Sequence, residues 1–156
     1  MSKGLRRQGR ELALKAIYGM HDGDAEPASF LRSFWSNFRF RDDVLGEAQE
    51  EPAGKVPEDV RIFTDELVTG TIENLERIDQ VLGEYSTNWS LERMSRVDLA
   101  LLRMACFELL YRSDVPSNVV INEAIEIGKT YGTKETPSFV NGILDKVSRT
   151  YRQVQQ

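Results

Sequence analysis

His21, Cys106 and a few close carboxylates are the side chains in this chain that could make or break bonds, but their spacing assembles no reaction centre. The only histidine stands in His21-Asp22-Gly23-Asp24, a turn-like stretch. A metal site there would draw on Asp22 and Asp24, yet these lack the alternating continuation and closing carboxylate of a calcium loop. Cys106, the only cysteine, is embedded in the most apolar segment and reads as a small hydrophobe. A thiol nucleophile needs a base to take its proton, and with a single histidine a Cys–His pair is not expected. Glu123 and Glu126 read as solvated or capping groups. No glycine cluster follows a strand-like run, so no phosphate-cradling loop is expected. The chain reads as a binding protein, not an enzyme, with no metal and no cofactor.

The feature that does suggest a ligand is the distribution of charge. The formal net charge is -5, but residues 1–20 hold Lys3, Arg6, Arg7, Arg10 and Lys15 against only Glu11, a local +4. The other 136 residues therefore carry -9, which makes a basic arm on an acidic body. On a helix, at about 100° per residue, Arg7 and Tyr18 differ by only about 20° and stand about 16 Å apart along the axis. Arg10 falls between them, about 80° from Tyr18, and Lys3 precedes on the same general side. A row of cations ending in an aromatic ring suits single-stranded nucleic acid, because cations follow phosphates while a ring stacks a base. Duplex readout fits less well, since the row is short and the body is acidic. Two other readings stay open on charge and spacing alone: a solvated arm with Tyr18 covering the edge of the core, and docking of the arm onto an acidic protein partner.

These residues must be positioned by helices. Helical spacing runs through the whole chain, and no alternating stretch suggests a sheet. Leu5, Leu12, Ala13, Ala16, Ile17 and Met20 share one face of a first helix. A second is expected over about Pro27 to Phe38. Arg41 to Lys55 is acidic and rich in Gly and Ala, and reads as a solvated loop. Pro57 can open a long apolar-faced stretch to Tyr85, with a break expected near Gly70 to Asn74. Ser95 can cap the next helix, with Asp98 returning the bond as a capping box and Met94 and Leu99 forming a hydrophobic staple. That helix, Val97 to Leu110, is apolar nearly all round and should be central. Pro116 opens another helix, which Gly132 can end in a left-handed conformation. Thr136-Pro137 starts the last, with Val140, Ile143, Leu144, Val147 and Tyr151 facing inward. Phe139 stands one position off that face and can reach the surface at a helix start, where unpaired N–H groups favour phosphate.

About seven helices in 156 residues fit one domain. The 29% charged content and the lack of any apolar run near the roughly 18 residues of a membrane span argue against a membrane protein. The basic N-terminus lacks the apolar stretch of a secretion signal, and one cysteine excludes an internal disulfide framework. A cytoplasmic location is expected.

Four blocks, in order, resemble the NusB family of transcription antitermination factors. They are Arg6-Arg7-Gln8-Gly9-Arg10-Glu11-Leu12-Ala13-Leu14-Lys15-Ala16-Ile17-Tyr18, then Arg112-Ser113-Asp114-Val115-Pro116, then Val120-Ile121-Asn122-Glu123-Ala124-Ile125-Glu126, and last Phe139-Val140-Asn141-Gly142-Ile143-Leu144-Asp145-Lys146. Trp89-Ser90-Leu91-Glu92-Arg93 is also similar to the family. The resemblance implies an all-α fold of two small helical bundles packed together, here an N-terminal subdomain of about 1–86 and a C-terminal one of about 87–156, with an acidic loop at about 41–56. It implies binding of the boxA element of nascent RNA, notably from rRNA operons, together with the ribosomal protein NusE. Other Nus factors and RNA polymerase complete the implied assembly. Arg6, Arg7 and Arg10 correspond to the family's arginine-rich motif, and Tyr18 and Phe139 to aromatic positions that meet RNA.

Gln8, Gly9 and Ser138 depart from that pattern, standing where relatives often have Arg, Ala and Lys. The arm is therefore expected to be less basic and less helix-prone, glycine costing about 1 kcal/mol relative to alanine in a helix interior. Two rival readings are a homo-oligomeric helical scaffold, with a possible homodimer through the RNA face, and an accessory domain like that of rRNA cytosine methyltransferases. The chain ends at Gln156 without room for a cofactor-binding domain, which disfavours the second.

Overall fold

The computed structural model describes residues 1–20, 26–37, 56–86 and 90–152. These form seven α-helices and no strand: α1 (Lys3–Tyr18), α2 (Pro27–Asn37), α3 (Glu58–Glu73), α4 (Leu75–Tyr85), α5 (Arg96–Tyr111), α6 (Ser117–Tyr131) and α7 (Thr136–Tyr151). A single 3₁₀ turn, Leu91–Arg93, precedes α5. The expectations for His21, Phe38, Trp89 and the acidic loop fall outside the described residues.

The helices group into two compact units, Met1–Glu73 and Asn74–Gln156. The division lies at 73/74 and not near 86, so α4 belongs with the C-terminal helices. The apolar periodicity of α3 runs on into α4, which hides the change of neighbours. The expected break is there, as a single non-helical residue, Asn74.

In the first unit α1 and α2 both pack on α3. Leu12, Leu14, Ile17, Val60, Leu67 and Val68 are almost fully buried. From Gly9 to Ile17 most of α1 is buried, including Leu14, which the expected apolar face omitted. Gly9 explains how the two helices come so close. A Cβ there would lie 2.6 Å from Phe63 Cδ2, and the Gly9 carbonyl accepts a hydrogen bond from Thr64 Oγ1 at 3.2 Å. The expectation of a poorly helical arm is thus corrected, because α1 starts at Lys3 and runs through Gly9 unbroken. The glycine makes room for an aromatic ring. Gly9→Ala is expected to lower stability by about 1–2 kcal/mol, overpacking outweighing the gain in helix propensity. On α4, Gly83 is exposed with nothing within 4 Å of a Cβ, so Gly83→Ala should raise stability by about 0.5–1 kcal/mol. Urea denaturation of the two variants checks the pair, and equal signs would contradict the packing account of Gly9.

In the second unit α4, α6 and α7 surround α5. Leu101, Leu102 and Cys106 have no exposed surface, as expected of a helix apolar nearly all round. Arg103 reaches from α5 to Asp79 on α4 through two parallel bonds of 2.8 Å. This fork-to-fork geometry fixes the pair of helices in register. Tyr85 Oη donates to Thr150 Oγ1 at 2.7 Å, joining α4 to α7.

Ser95 caps α5 as expected, its Oγ accepting from Asp98 N–H at 3.1 Å. The return bond expected of a capping box is not what the Asp98 carboxylate makes. Its Oδ1 accepts from Thr136 Oγ1 at 2.7 Å, so a local cap has become a link to α7. Gly132 ends α6, but at φ -97° and ψ -165°, extended and not left-handed. It is glycine for space: a Cβ would fall 2.6 Å from Thr136 Cβ.

Candidate nucleic-acid interface

α1 starts at a side-chain cap. Ser2 Oγ accepts from Leu5 N–H at 3.2 Å, and the Ser2 carbonyl accepts from Arg6 N–H at 3.0 Å. No carboxylate stands in the first turn, where the helix dipole would favour one. Lys3 and Arg6 are there instead, both exposed. Their charges add to the positive helix end, an arrangement that disfavours the isolated helix slightly and favours an incoming anion.

Arg7 and Tyr18, expected on one line, are both half-exposed. Glu11 and Lys15 are half-exposed too and lie about 20° and 60° from Tyr18 by helical angle. Lys15 stands eight positions from Arg7 and joins this edge as a further cation. Glu11 puts one carboxylate within the row, so phosphate contact is favoured toward the Lys3–Arg7 end. Arg10 is a correction. It is only 2% exposed, its guanidinium 5.4 Å from the centroid of the Phe63 ring. With Gly9 admitting Phe63, the next residue is drawn against the same ring, where a cation–π contact is worth about 0.5–2 kcal/mol. Arg10 holds the first unit together and is not part of an exposed edge.

Phe139 is half-exposed on the first turns of α7, beside the fully buried Val140. This helix start offers a phosphate fewer unpaired N–H groups than expected. Thr136 N–H is bonded to the Thr133 carbonyl and Phe139 N–H to the Glu135 carbonyl, each at 3.1 Å, and Pro137 has none. Glu135, exposed at the cap position, adds a negative charge there. What α7 offers a nucleic acid is the ring. Tyr18 belongs to the first unit and Phe139 to the second.

No reaction chemistry competes with this surface among the described residues. Cys106 is fully buried, and burial pushes its thiol up to about 12, far from a reactive thiolate. Glu123, expected as a solvated or capping group, is only 3% exposed. Glu126 pairs with Lys129 at 3.1 Å on the surface. No group of three His, Cys, Asp or Glu residues among those described could hold a metal ion. A groove of about 510 Å³ between α2 and α3 is lined by Leu31, Trp35, Arg61 and Asp65, with no histidine or cysteine in its walls. Its centre is structural, with Arg61 4.8 Å from the Trp35 ring and Trp35 Nε1 donating to Asp65 at 2.8 Å. None of the described helices is long and apolar enough to cross a membrane.

Among the described residues, seven helices with cations on α1 define a small all-helical protein with a candidate polyanion surface. The sequence pattern of the NusB family matches residues 7–149, and the chain belongs to that family. Transcription antitermination protein NusB of Syntrophotalea carbinolica is 64% identical over 154 residues, covering 99% of this chain and 98% of its own. The solved structure of T. maritima NusB is 31% identical with a TM-score of 0.67, over 94% of this chain and 92% of that one. A solved complex of the antitermination factors NusB and NusE with double-stranded RNA shares the fold at a TM-score of 0.73 and 18% identity, over 96% of this chain and all of that one. The family is one of transcription antitermination factors, and this member is not an enzyme.

Proposed function

We propose that this chain binds boxA-type single-stranded RNA in the cytoplasm together with ribosomal protein NusE. With other Nus factors the pair joins RNA polymerase and suppresses termination, notably in rRNA operons. The observation that carries this reading is the outer edge of α1, where Lys3 and Arg6 are exposed and Arg7 shares a line with the half-exposed ring of Tyr18. Phe139 supplies a second ring. The solved complex of a NusB with NusE and double-stranded RNA supports the choice of NusE and of RNA as partners. The single strand is favoured over a duplex because the cationic row is short and the remaining 136 residues carry a net -9.

Salt dependence tests the row. Three cations on phosphates, Lys3, Arg6 and Arg7, give log affinity against log salt a slope of about -2 for a single strand. Arg7→Ala is expected to make that slope shallower by about 0.7. Arg10→Ala should leave the slope unchanged and lower folding stability instead. Fluorescence anisotropy with a labelled boxA oligonucleotide, with and without NusE, measures the slopes. A salt-insensitive complex, or an Arg10→Ala slope reduced like that of Arg7→Ala, would contradict the assignment.

A further inference from the structure

Thr136 is the point at which three helices of the second unit meet, one turn before Phe139. Its side chain has no exposed surface. The hydroxyl donates to Asp98 Oδ1 on α5 at 2.7 Å and accepts from Thr133 N–H in the α6–α7 turn at 2.9 Å. The methyl and Cβ occupy a notch left by two glycines. A Cβ on Gly132 would lie 2.7 Å from Thr136 Cγ2, and one on Gly128 would lie 3.0 Å from the same atom. One small side chain thus binds the start of α5, the end of α6 and the start of α7. Asp98 is itself held by the Ser95 cap at its N–H, so the acceptor is fixed in place. Serine in place of threonine keeps the hydroxyl and loses the methyl. Valine keeps the shape but leaves a carboxylate and an N–H without their partner.

We infer that Thr136 is a positioning residue for RNA binding, setting the first turns of α7 so that the Phe139 ring is presented to a base. A stacking contact depends on where the ring lies, and a ring held by a loosened turn loses the benefit of preorganisation. Thr136, three residues before Phe139, has two hydrogen bonds and a packed methyl. The inference rests on the proposal that Phe139 touches RNA.

The test is a double-mutant cycle, read as anisotropy of a labelled single-stranded boxA oligonucleotide, with circular dichroism confirming that each variant folds. Phe139→Ala is expected to weaken binding about tenfold, and Thr136→Val about fivefold. In the Phe139→Ala background, Thr136→Val should cost less than about twofold, because the ring it positions is gone. Thr136→Ser, which keeps both hydrogen bonds, should bind within about twofold of the parent chain. If Thr136→Val does not fold, Asp98→Ala removes the same bond from the α5 side and enters the cycle in its place. Equal losses with and without Phe139, or no loss from breaking the bond, overturn the positioning role while leaving Phe139 an RNA contact. No loss from Phe139→Ala overturns that contact, and the positioning role with it.

Discussion

Replacing Arg152 by methionine is expected to lower folding stability by about 2–4 kcal/mol, the largest loss from any single substitution considered. The guanidinium has five N–H groups, and all five are engaged. Nε donates to the Leu109 carbonyl at 2.9 Å, and Nη2 donates to the carbonyls of Glu108 and Arg112, both at 2.9 Å. Nη1 donates to the Val115 carbonyl and, at 3.3 Å, to Ser117 Oγ. The Glu108 carbonyl also accepts from Arg112 N–H at 2.9 Å, the last carbonyls of a helix otherwise lack intrahelical partners, and a cation at that end meets the negative end of the dipole. Arg152 therefore closes α5, holds the turn at 112–116 and ties the end of α7 to both. Burial disfavours its charge, and the nearby carboxylates of Glu108 and Asp114 act the other way. Charge-assisted bonds of this kind contribute roughly 1.5–3 kcal/mol each when buried. The side chain is only half-buried, so water reaches some of the freed carbonyls and the sum falls well short of additive. Lysine cannot restore the fork, since its donors radiate from one nitrogen, so Arg152→Lys should recover less than half of the loss. Urea denaturation of the two variants measures both. A loss under about 0.5 kcal/mol for Arg152→Met would mean that water replaces the guanidinium freely.

Nothing local in the sequence singles out Arg152, which lies three residues beyond the family match at 7–149. Its partners are 35 to 44 positions away. The same limit explains the other misses. Helix count, the break at Asn74, the Ser95 cap and the Thr136-Pro137 start are set by neighbours within one or two turns, and all were legible. Spacing alone favours a bond from the Asp98 carboxylate to its own cap, yet Thr136, 38 residues on, takes it. Helical angle alone places Arg10 in solvent, because it presumes a single buried face. From Gly9 to Ile17 α1 is buried most of the way round, and a glycine that reads as a helix breaker is in fact the gap for Phe63. Angle is a fair guide for Lys3, Arg7 and Tyr18 because they lie on the first turns and at the last residue of α1, the two ends that are not enclosed. Whether α4 turns to the first unit or the second is set by packing alone, and the continuous apolar stripe from α3 carries no mark of it.

Tyr18→Ala and Phe139→Ala should each weaken single-stranded RNA binding by about 1–3 kcal/mol, roughly 5- to 150-fold in Kd. A base stacked on a ring gives up contact with water on one face, and truncation to alanine removes the apolar surface that replaced it. Both rings are half-exposed, so each has surface to offer and enough burial to keep its orientation. Tyr18→Phe keeps the ring and should retain most of the affinity, which separates stacking from any bond made by the hydroxyl. Independent stacking on each ring would show losses that add in the double variant. A strand that touches only one ring would leave the other substitution silent. The salt slope should stay near -2 in every aromatic variant, since no cation is removed. Titration of the labelled oligonucleotide against each folded variant decides it: unchanged affinity in both Tyr18→Ala and Phe139→Ala would leave the cations of α1 as the only RNA contact on this chain.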